Sequence, residues 1–335
     1  MKSICVLPGD GIGPEVIDSA VDVLEKATDQ LEFVRADIGK AAFEKHGSYL
    51  PDETFDLMKS SDSCLFGAVT SSDKLDHESP VLRFRKELDL YANLRPVRTL
   101  VDVPNRPSID IVLIRENSEG MYTQDEVFDD GGVTTRRRVT RRASERIVGF
   151  AIEYARLNGR QKITCVHKSN VLKASDGLFL GIFRELMDSR GAGLKAEEQL
   201  VDSAAMKLVV EPRVFDIIVT LNLYGDILSD VAAGVAGGLG FAPSGNIGPK
   251  HSVFEPAHGS APDIAGKGVA NPTAAILASA MMLRHIGLAR PANDIERAVA
   301  EVYSTGHLTM DIGGRHGSKS FTEHVIGTLK GAKHI

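Results

Sequence analysis

The stretch that decides the fold is Ile217-Ile218-Val219-Thr220-Leu221, followed by Asn-Leu-Tyr-Gly-Asp-Ile-Leu-Ser-Asp at 222–230. An apolar strand that runs directly into a helix start is typical of α/β proteins. If residues 222–230 open a helix, Asp226 and Asp230 project from one face, because they are four residues apart. Two carboxylates held that close repel, so a divalent cation between them would be stabilising, and oxygen ligands favour Mg²⁺ or Mn²⁺. A solvated helix face is the alternative.

The same alternation of strand and helix runs through the rest of the chain. Predicted buried strands cover Ile4 to Leu7, Ser63 to Phe66, Ile109 to Ile114, Ile163 to Val166 and Asp216 to Thr220. Apolar residues with helical spacing occur in the ranges 16–27, 147–155 and 273–286. Strands that alternate with helices predict an α/β fold with a largely parallel sheet.

Composition limits the possible classes of function. The chain has 335 residues, of which 43% are apolar and 25% charged, so it can bury a large core in two domains or one enlarged α/β unit. The net charge of −6 argues against a nucleic-acid partner. The one arginine-rich run, at 136–142, is interpreted as an exposed loop and helix start.

The cysteines and the apolar runs bear on the cellular compartment. Cys5, Cys64 and Cys165 are widely spaced, each lies in an apolar run, and no Cys-x-x-Cys occurs. Buried free thiols in a reducing compartment are therefore expected. Because there is neither a secretory signal pattern nor an apolar run of about 18 residues, a cytoplasmic protein without a membrane partner is predicted.

A glycine loop, Gly-Asp-Gly-Ile-Gly-Pro-Glu at 9–15, follows the first predicted strand. It does not satisfy the dinucleotide-binding pattern G-x-G-x-x-G, because Pro14 stands where the third glycine is required. A standard Rossmann fold is therefore not predicted. The loop is either a tight turn or a place where the backbone approaches another group closely.

Arg85, Arg95 and Arg115 stand in short, distinctive contexts, and Arg115 directly follows a predicted strand. In open α/β sheets, ligands bind at the carboxyl ends of strands. Because arginine grips carboxylates with a bidentate fork, three such residues suit a di- or tricarboxylate. A surface ion pair is the alternative for each arginine taken alone.

Seven segments together resemble the β-decarboxylating dehydrogenases that act on isopropylmalate, isocitrate, homoisocitrate and tartrate. They occur in the order of that family, over nearly the whole chain, at 9–15, 93–96 (Asn-Leu-Arg-Pro), 114–117 (Ile-Arg-Glu-Asn), 167–171 (His-Lys-Ser-Asn-Val), 225–230, 254–268 and 270–274 (Ala-Asn-Pro-Thr-Ala). The resemblance implies an NAD-dependent, divalent-metal-dependent oxidative decarboxylation of a 3-substituted malate.

The resemblance also implies roles for individual residues. The substrate would be bound by Glu78, Val81, Leu82, Arg85, Arg95, Arg115, Tyr122, Lys168 and Val171. Tyr122 resembles the acid that protonates carbon after CO₂ leaves, and Lys168 resembles the residue that deprotonates the substrate hydroxyl, with Asp202 as a possible proton relay. The metal, Mg²⁺ or Mn²⁺, would be held by Asp226 and Asp230 together with Asp202. Because Lys168, Val171 and Asp202 would come from the neighbouring subunit, a homodimer, or a tetramer built from it, is implied.

The resemblance places the cofactor on a loop near residue 260. The implied contacts are Ile12, Glu78, Asn222, His258, Gly259, Ser260, Ala261, Pro262, Asp263, Ile264 and Asn271. Relatives that use NADP carry a lysine and a tyrosine where this chain has Asp263 and Ile264. An aspartate accepts hydrogen bonds from ribose hydroxyls and repels a 2′-phosphate, so NAD is expected.

Substrate choice within the family depends on residues 78–82, Glu-Ser-Pro-Val-Leu. Val81, Leu82 and Val171 would form an apolar pocket for an isopropyl group, which indicates 3-isopropylmalate and hence leucine biosynthesis. Ser79 matches the isocitrate pattern instead, and Arg83 lies near enough to favour homoisocitrate or a longer homologue. A regulatory subunit without catalysis is a further alternative, although Tyr122 and the other implied catalytic positions are present.

The resemblance also implies two domains. A discontinuous cofactor-binding domain would comprise 1–98 and 241–335, and a dimerisation domain would comprise 99–240. The boundary near residue 240 falls in a glycine-rich stretch.

Overall fold

The computed structural model of the chain describes residues 1–70, 79–101 and 107–332. Strands and helices alternate along most of this length. The strands are β1 (Lys2–Gly9), β2 (Leu31–Arg35), β3 (Ser63–Ala68), β4 (Ala92–Arg98), β5 (Asp110–Glu116), β6 (Glu126–Asp129), β7 (Gly132–Thr135), β8 (Lys162–His167), β9 (Lys195–Leu200), β10 (Ile217–Thr220), β11 (Pro243–Ile247) and β12 (Ser252–Pro256). The helices are α1 (Gly13–Ala27), α2 (Lys40–His46), α3 (Asp52–Ser60), α4 (Pro80–Glu87), α5 (Arg141–Leu157), α6 (Ser175–Arg190), α7 (Val201–Val210), α8 (Asn222–Ala236), α9 (Thr273–His285), α10 (Ala289–Ser304) and α11 (Ser318–Ala332).

One large sheet contains all the strands except β6 and β7, which pair as a separate hairpin. Its order is β2-β1-β3-β12-β11-β4-β5-β10-β8-β9. The pairings are parallel in both outer parts and antiparallel at the centre, where β11 pairs with β12 and β4, and β4 pairs with β5. This confirms the predicted mixed, largely parallel sheet.

The predicted elements appear where the sequence places them. The apolar run from Ile4 to Leu7 is fully buried in β1, and the helix after the glycine loop has Pro14 in its first turn, where a missing N–H costs nothing. Residues 222–230 do open a helix, α8, which follows β10 after a single residue. Strand β2 was not predicted, because it lies at the sheet edge and its side chains are mostly exposed.

Helices cover both faces of each outer part of the sheet. Around β1 and β3, the helices α1, α9, α10 and α11 bury one apolar cluster, which includes Val16, Ile276 and Phe321. Around β8 and β10, helices α5 and α6 pack on one face and α7 and α8 on the other. The strands β11 and β4 join the two parts. The division into domains of 1–98 with 241–335, and of 99–240, stays a prediction.

Two smaller expectations can be compared with the structure. Cys5, Cys64 and Cys165 are free and buried, as predicted. Within the described ranges, none of the helices is long and apolar enough to cross a membrane.

Candidate active site

Arg115 lies near the carboxyl end of β5, as predicted, and only 1% of its surface is exposed. Its Nε and Nη2 donate to Asn222 Oδ1 at 3.0 and 2.8 Å, and its Nη1 donates to Asp226 Oδ1 at 2.5 Å. Both acceptors belong to the first turns of α8. Gly225 lies between them, and a Cβ there would stand 2.6 Å from Arg115 Cγ. The helix start is therefore shaped to admit this side chain.

Arg95 and Arg85 approach the same point from neighbouring elements. Arg95, on β4, donates from Nη1 to Ser229 Oγ at 2.6 Å, and its Nη2 lies 3.3 Å from Asp226 Oδ1. Arg85, on α4, donates from Nη2 to Glu255 Oε1 at 3.1 Å. Its Nε is buried and has no hydrogen-bond partner in the described part of the chain. The structure thus brings the three predicted arginines together and leaves Arg85 Nε without a partner in the described part of the chain.

The charges of this cluster shift its pKa values in different directions. Burial, together with repulsion from Arg95 and Arg85, lowers the pKa of Arg115 to about 10, which still leaves it protonated near neutrality. Burial acts to raise the pKa of Asp226, but Arg115 and Arg95 outweigh it, so this pKa is lowered overall. For Asp230, burial dominates and raises the pKa, against Arg95 and with help from Asp226. The pKa values of the two carboxylates on α8, Asp226 and Asp230, are therefore shifted in opposite directions.

Tyr122 lies in a short 3₁₀ turn, Met121–Thr123, and its hydroxyl donates to Asp226 Oδ2. The Arg115 guanidinium carbon lies 4.8 Å from the centroid of its ring. Burial raises the pKa of Tyr122; the neighbouring Arg115 opposes this, and Asp226 reinforces it. The phenol is therefore protonated at neutral pH, as a proton donor must be.

A cleft of about 890 Å³ opens beside this cluster. It is lined by several predicted residues, among them Val81, Leu82, Arg85, Arg95, Tyr122, His258 and Gly259. Ser79 also lines the cleft, and its Oγ accepts from Leu82 N at 3.4 Å as the N-cap of α4. Glu78 lies outside the described residues.

Arg83 does not point into this cleft. Its Nη1 donates to Leu50 O at 2.9 Å, and its guanidinium also bonds Asp52 at 3.0 Å and Glu87 at 2.9 Å. These contacts hold the cation on the outer side of α4.

Lys168, Asp202 and Val171 lie apart from the Asp226 cluster in this chain. Lys168 Nζ lies 2.5 Å from Asp202 Oδ1, and this bond is the main cause that lowers the pKa of Asp202. Val171, in the loop after β8, is 64% exposed. Among the described residues, the carboxylate oxygens of Asp202, Asp226 and Asp230 do not all lie within 4.8 Å of one another. One chain therefore does not bring the three predicted metal ligands together.

The presence of glycines in the loop at 9–15 is explained by its close contact with the segment around Ser260. Ile12 N donates to Ser260 O at 2.8 Å, and a Cβ on Gly11, whose φ is +60°, would stand 1.9 Å from that oxygen. Asp10 fastens the loop further by accepting from Thr70 N at 2.8 Å. Gly11 is required for this close approach to Ser260, not only for a turn.

The segment predicted to bind the cofactor is an open loop with two unusual features. Ala261 has a positive φ of 37°, which is rare for a residue with a Cβ and costs free energy. His258 Nε2 is buried and has no partner in the described part of the chain. Asp263 and the preceding Pro262 are exposed at the start of a short 3₁₀ turn. The backbone strain at Ala261 and the unpaired Nε2 of His258 both agree with a loop that binds a ligand.

Two further predicted cofactor contacts have their side chains occupied within the chain. Asn222 accepts from Arg115 through Oδ1 and donates from Nδ2 to Glu119 O at 2.9 Å. Asn271 donates to Asp311 Oδ2 at 3.0 Å and accepts from Thr273 N at 2.9 Å. Their contacts with a cofactor stay predictions.

Comparison with known proteins decides the family. The profile described as "Isocitrate/isopropylmalate dehydrogenase" matches residues 3–327. The chain belongs to that family. It is similar to the 3-isopropylmalate dehydrogenase of Methanothermobacter thermautotrophicus, with 45% identity over 98% of this chain and 100% of that protein. It is also similar to the isocitrate/homoisocitrate dehydrogenase of Thermus thermophilus, with 46% identity over 98% of each.

A solved structure gives the same answer for the fold. The isocitrate dehydrogenase of Methylococcus capsulatus matches with a TM-score of 0.96 and 41% identity, over 98% of this chain and 100% of that one. The predicted isopropylmalate/isocitrate dehydrogenase-like fold is therefore confirmed, and the protein is a dehydrogenase of this family.

This dehydrogenase also contains a polar network that sequence reasoning missed. On the central strands, Asn93 Nδ2 donates to Ser244 Oγ at 2.8 Å and to Asn246 Oδ1 at 3.0 Å. Asn246 Nδ2 in turn donates to Glu255 Oε1 at 2.7 Å, and Glu255 also accepts from Arg85. The network orients two of the arginines predicted to bind the substrate, since Arg95 Nε donates to Asn93 as well. The signal available in the sequence was a polar residue inside an otherwise apolar strand.

The arginine-rich run is largely neutralised within the chain. Arg137 bonds the fully buried Asp176 at 2.5 Å, and Arg141 bonds both Glu145 and Glu185 at 3.1 Å. These ion pairs agree with the interpretation of the run as a loop and helix start.

Proposed function

We propose that this dehydrogenase catalyses the NAD-dependent oxidative decarboxylation of a 3-substituted malate. The preferred substrate would be 3-isopropylmalate, which would be converted to 2-oxoisocaproate in leucine biosynthesis. The observation that carries the proposal is the pairing of Arg95 and Arg115 with Asp226 beside a cleft that is lined by Arg85, Arg95, Tyr122, Val81 and Leu82.

The arginines suit a dicarboxylate because their partners within the chain do not use all their donors. Asp226 accepts from Arg115 and forms an ion pair with Arg95, and Arg85 Nε has no partner in the described residues. Leaving a buried donor unpaired costs about 1–3 kcal/mol, which a substrate carboxylate would restore. Malate carboxylates would bind here through bidentate contacts.

A divalent cation fits the carboxylates of α8. Asp226 and Asp230 offer oxygen ligands on one helix face, and Asp202 from a second copy of the chain would complete the set. The donor set contains oxygen only, which suits Mg²⁺ or Mn²⁺. When bound, the cation would polarise the substrate hydroxyl and the ketone that replaces it.

Tyr122 and Lys168 would handle the protons. Lys168, from the neighbouring subunit, would take the hydroxyl proton once its own ammonium had released a proton to solvent through Asp202, to which it is bonded at 2.5 Å. Tyr122 would give its proton to the carbon that has lost CO₂. Because its pKa is raised by burial, the phenol holds that proton until a strongly basic carbon forms.

NAD would lie along the loop from His258 to Ile264, against the glycine loop that contains Ile12. It would accept the hydride from the substrate. Asp263 is exposed where a ribose could reach it, and its negative charge would repel the 2′-phosphate of NADP. Asn271 and Asn222 would contribute by supporting the loop and Arg115.

A homodimer with shared sites is supported by exposed apolar side chains close to the incomplete site. On α7, Met206, Val209 and Val210 are 57%, 58% and 75% exposed, and Ile227 on α8 is 55% exposed. Val171, which would line the partner's pocket, belongs to the same set. Exposed apolar patches of this kind mark protein interfaces.

The second candidate substrate class carries a γ-carboxylate, as isocitrate and homoisocitrate do. Ser79 favours it, because its hydroxyl lines the cleft at the amino-terminal end of α4 and can donate a hydrogen bond. Arg83 does not favour it, because its guanidinium is bonded to Leu50, Asp52 and Glu87 outside the cleft. We therefore keep 3-isopropylmalate first.

Competition among 3-isopropylmalate, isocitrate and homoisocitrate, with NAD and Mg²⁺, tests the proposal. We expect 3-isopropylmalate to have the highest kcat/KM, since an apolar pocket leaves a γ-carboxylate unpaired at a cost of several kcal/mol. A winner with a γ-carboxylate would contradict the apolar pocket and leave the reaction class intact. No turnover of any 3-substituted malate would favour the regulatory subunit instead.

A further inference from the structure

Three histidines outside the cleft lie together between the end of α10 and the middle of α11. One ring nitrogen from each of His307, His316 and His324 lies within 4.8 Å of the others, and the ring centroids are 4.0–5.3 Å apart. We propose that this histidine cluster binds a transition-metal cation of the Zn²⁺ type, separate from the carboxylate site and not needed for the proposed reaction.

The backbone holds two of these histidines side by side before any metal arrives. His316 N donates to Leu308 O at 3.1 Å, and Thr309 and His316 form an isolated β-bridge. The intervening turn is tight, since a Cβ on Gly314 would stand 2.0 Å from Leu308 O. The third histidine projects from α11, which begins just after this turn. The positions of the rings are thus set by the fold.

Hydroxyl groups fix the orientation of two rings. The Nδ1 of His316 is 3.0 Å from Ser320 Oγ, and the Nδ1 of His307 is 3.1 Å from Thr305 Oγ1. If each Nδ1–H donates to its hydroxyl oxygen, Nε2 carries the lone pair. Metal-binding histidines are oriented in this way by a partner on the other ring nitrogen.

The chemistry of three imidazoles selects the class of cation. Neutral imidazole suits Zn²⁺, Co²⁺, Ni²⁺ and Cu²⁺, whereas Mg²⁺ prefers oxygen. Tetrahedral Zn²⁺ requires nitrogens about 3.3 Å apart, so the half-buried rings must turn inward slightly. Water would occupy the fourth position.

A metal ion bound to the histidine cluster would link the turn before α11 to α11 itself. The same turn carries Asp311, whose carboxylate accepts from Asn271 at 3.0 Å at the base of the loop proposed for NAD. Metal binding would therefore stiffen one wall of that loop and raise the Tm of the whole chain.

Titration with Co²⁺ in excess Mg²⁺ tests the site, because Mg²⁺ occupies carboxylates while Co²⁺ reports its coordination by visible absorption. The full chain is compared with His316→Gln and His324→Gln, and with His46→Gln as a control, since His46 is exposed on α2. Substrate and NAD are absent, so the outcome is independent of the proposed reaction. Thermal unfolding without metal checks that each variant is folded, and His307→Gln replaces any that is not.

We expect one tightly bound Co²⁺ for each native chain, with the intense absorption of a four-coordinate ion, and the same for His46→Gln. Variants of the cluster should bind Co²⁺ at least about tenfold more weakly and lose that absorption. Zn²⁺ should displace Co²⁺ and raise the Tm of the native chain and of His46→Gln, but not that of the cluster variants. Equal Co²⁺ binding by cluster and control variants, or no binding by the native chain, would overturn the proposal.

Discussion

Two charged groups of the protein, both assigned to one reaction, are built differently. Around Asp226, Arg115 and Arg95 are 1% and 7% exposed and are held by hydrogen bonds to residues of the same chain. By contrast, the Lys168–Asp202 pair is a single contact whose carboxylate is 65% exposed. The first group is a buried set of several bonded side chains, whereas the second is one largely exposed pair. Under the proposed function, one chain would suffice to bind the substrate, whereas proton transfer would require a second chain.

The largest effect is expected from Arg115→Met. It leaves Asp226 and Asn222 without their main donor, so the free energy of unfolding should fall by roughly 3–5 kcal/mol and activity should be lost. Arg83→Met is the matched control, because its ion pairs are on the surface; it should change stability by no more than about 1 kcal/mol. Denaturant unfolding and steady-state kinetics measure both. Similar losses in the two variants would mean that the first group has no special structural role.

Lys168→Met should separate activity from stability. We expect kcat to fall by about 10²–10⁴-fold, the usual contribution of a positioned proton acceptor. The free energy of unfolding should hardly change, because Lys168 makes one bond to an exposed carboxylate. The KM for the substrate should change less than kcat. A large loss of stability with nearly normal kcat would reverse the assignment.

Asp226→Asn and Asp230→Asn should have opposite effects on the metal-free protein. The folded-state pKa of Asp226 is lowered, so its stabilisation is present above the unfolded pKa of about 3.9 and is lost as pH falls through the lower folded value. The pKa of Asp230 is raised, so its ionisation destabilises the fold, and that cost disappears as pH falls through the folded value. Near pH 7, Asp226→Asn should lower the Tm and Asp230→Asn should raise it.

Both aspartate variants should nevertheless bind Mg²⁺ or Mn²⁺ more weakly and turn over more slowly, with Asp226→Asn the more severe. Isothermal titration and activity against metal concentration measure this. If the chelated native protein is as active as the metal-loaded one, the proposed metal site is wrong.

The smallest effect is expected at the exposed loop proposed to bind NAD. Asp263→Lys combined with Ile264→Tyr should shift preference toward NADP, because a cation replaces the repelling carboxylate. The change at Asp263 should hardly affect stability, because that residue is exposed; any larger loss would come from Ile264, which packs partly against the core. The ratio of kcat/KM for NAD and NADP is the measurement, with Asp263→Asn as a control that removes charge only. Undiminished NAD preference in the double variant would place specificity elsewhere.

Sequence reasoning predicted the outer parts of the sheet better than its centre. The apolar runs in β1, β3, β8 and β10 are buried on both faces, so they are visible without alternation. The central strands β11 and β12 were not predicted, because buried Ser244, Asn246 and Glu255 interrupt their apolar pattern. Ser244 and Asn246 accept from Asn93, and Glu255 accepts from Asn246 and Arg85. No local pattern can show these contacts.

The candidate site likewise contains some features that the sequence predicts and others that it does not. The four-residue spacing of Asp226 and Asp230 and the position of Arg115 after a strand could be obtained from the residues themselves. The partners that orient the three arginines could not, because Asn222, Ser229 and Glu255 become their partners only through contacts between distant segments. The role of Gly225 likewise needs the position of Arg115 in space.

Subunit mixing tests the central claim most directly. Tyr122→Phe and Lys168→Met chains, each inactive alone, are unfolded together and refolded. If Lys168 acts in the site of its partner, half of the dimers are mixed and each has one intact site, so about a quarter of native activity should return. Mixing Tyr122→Phe with Arg95→Met is the control and should restore none, because both residues belong to one chain's cluster. No recovery with Lys168→Met, although mixed dimers form, would contradict a site shared between subunits.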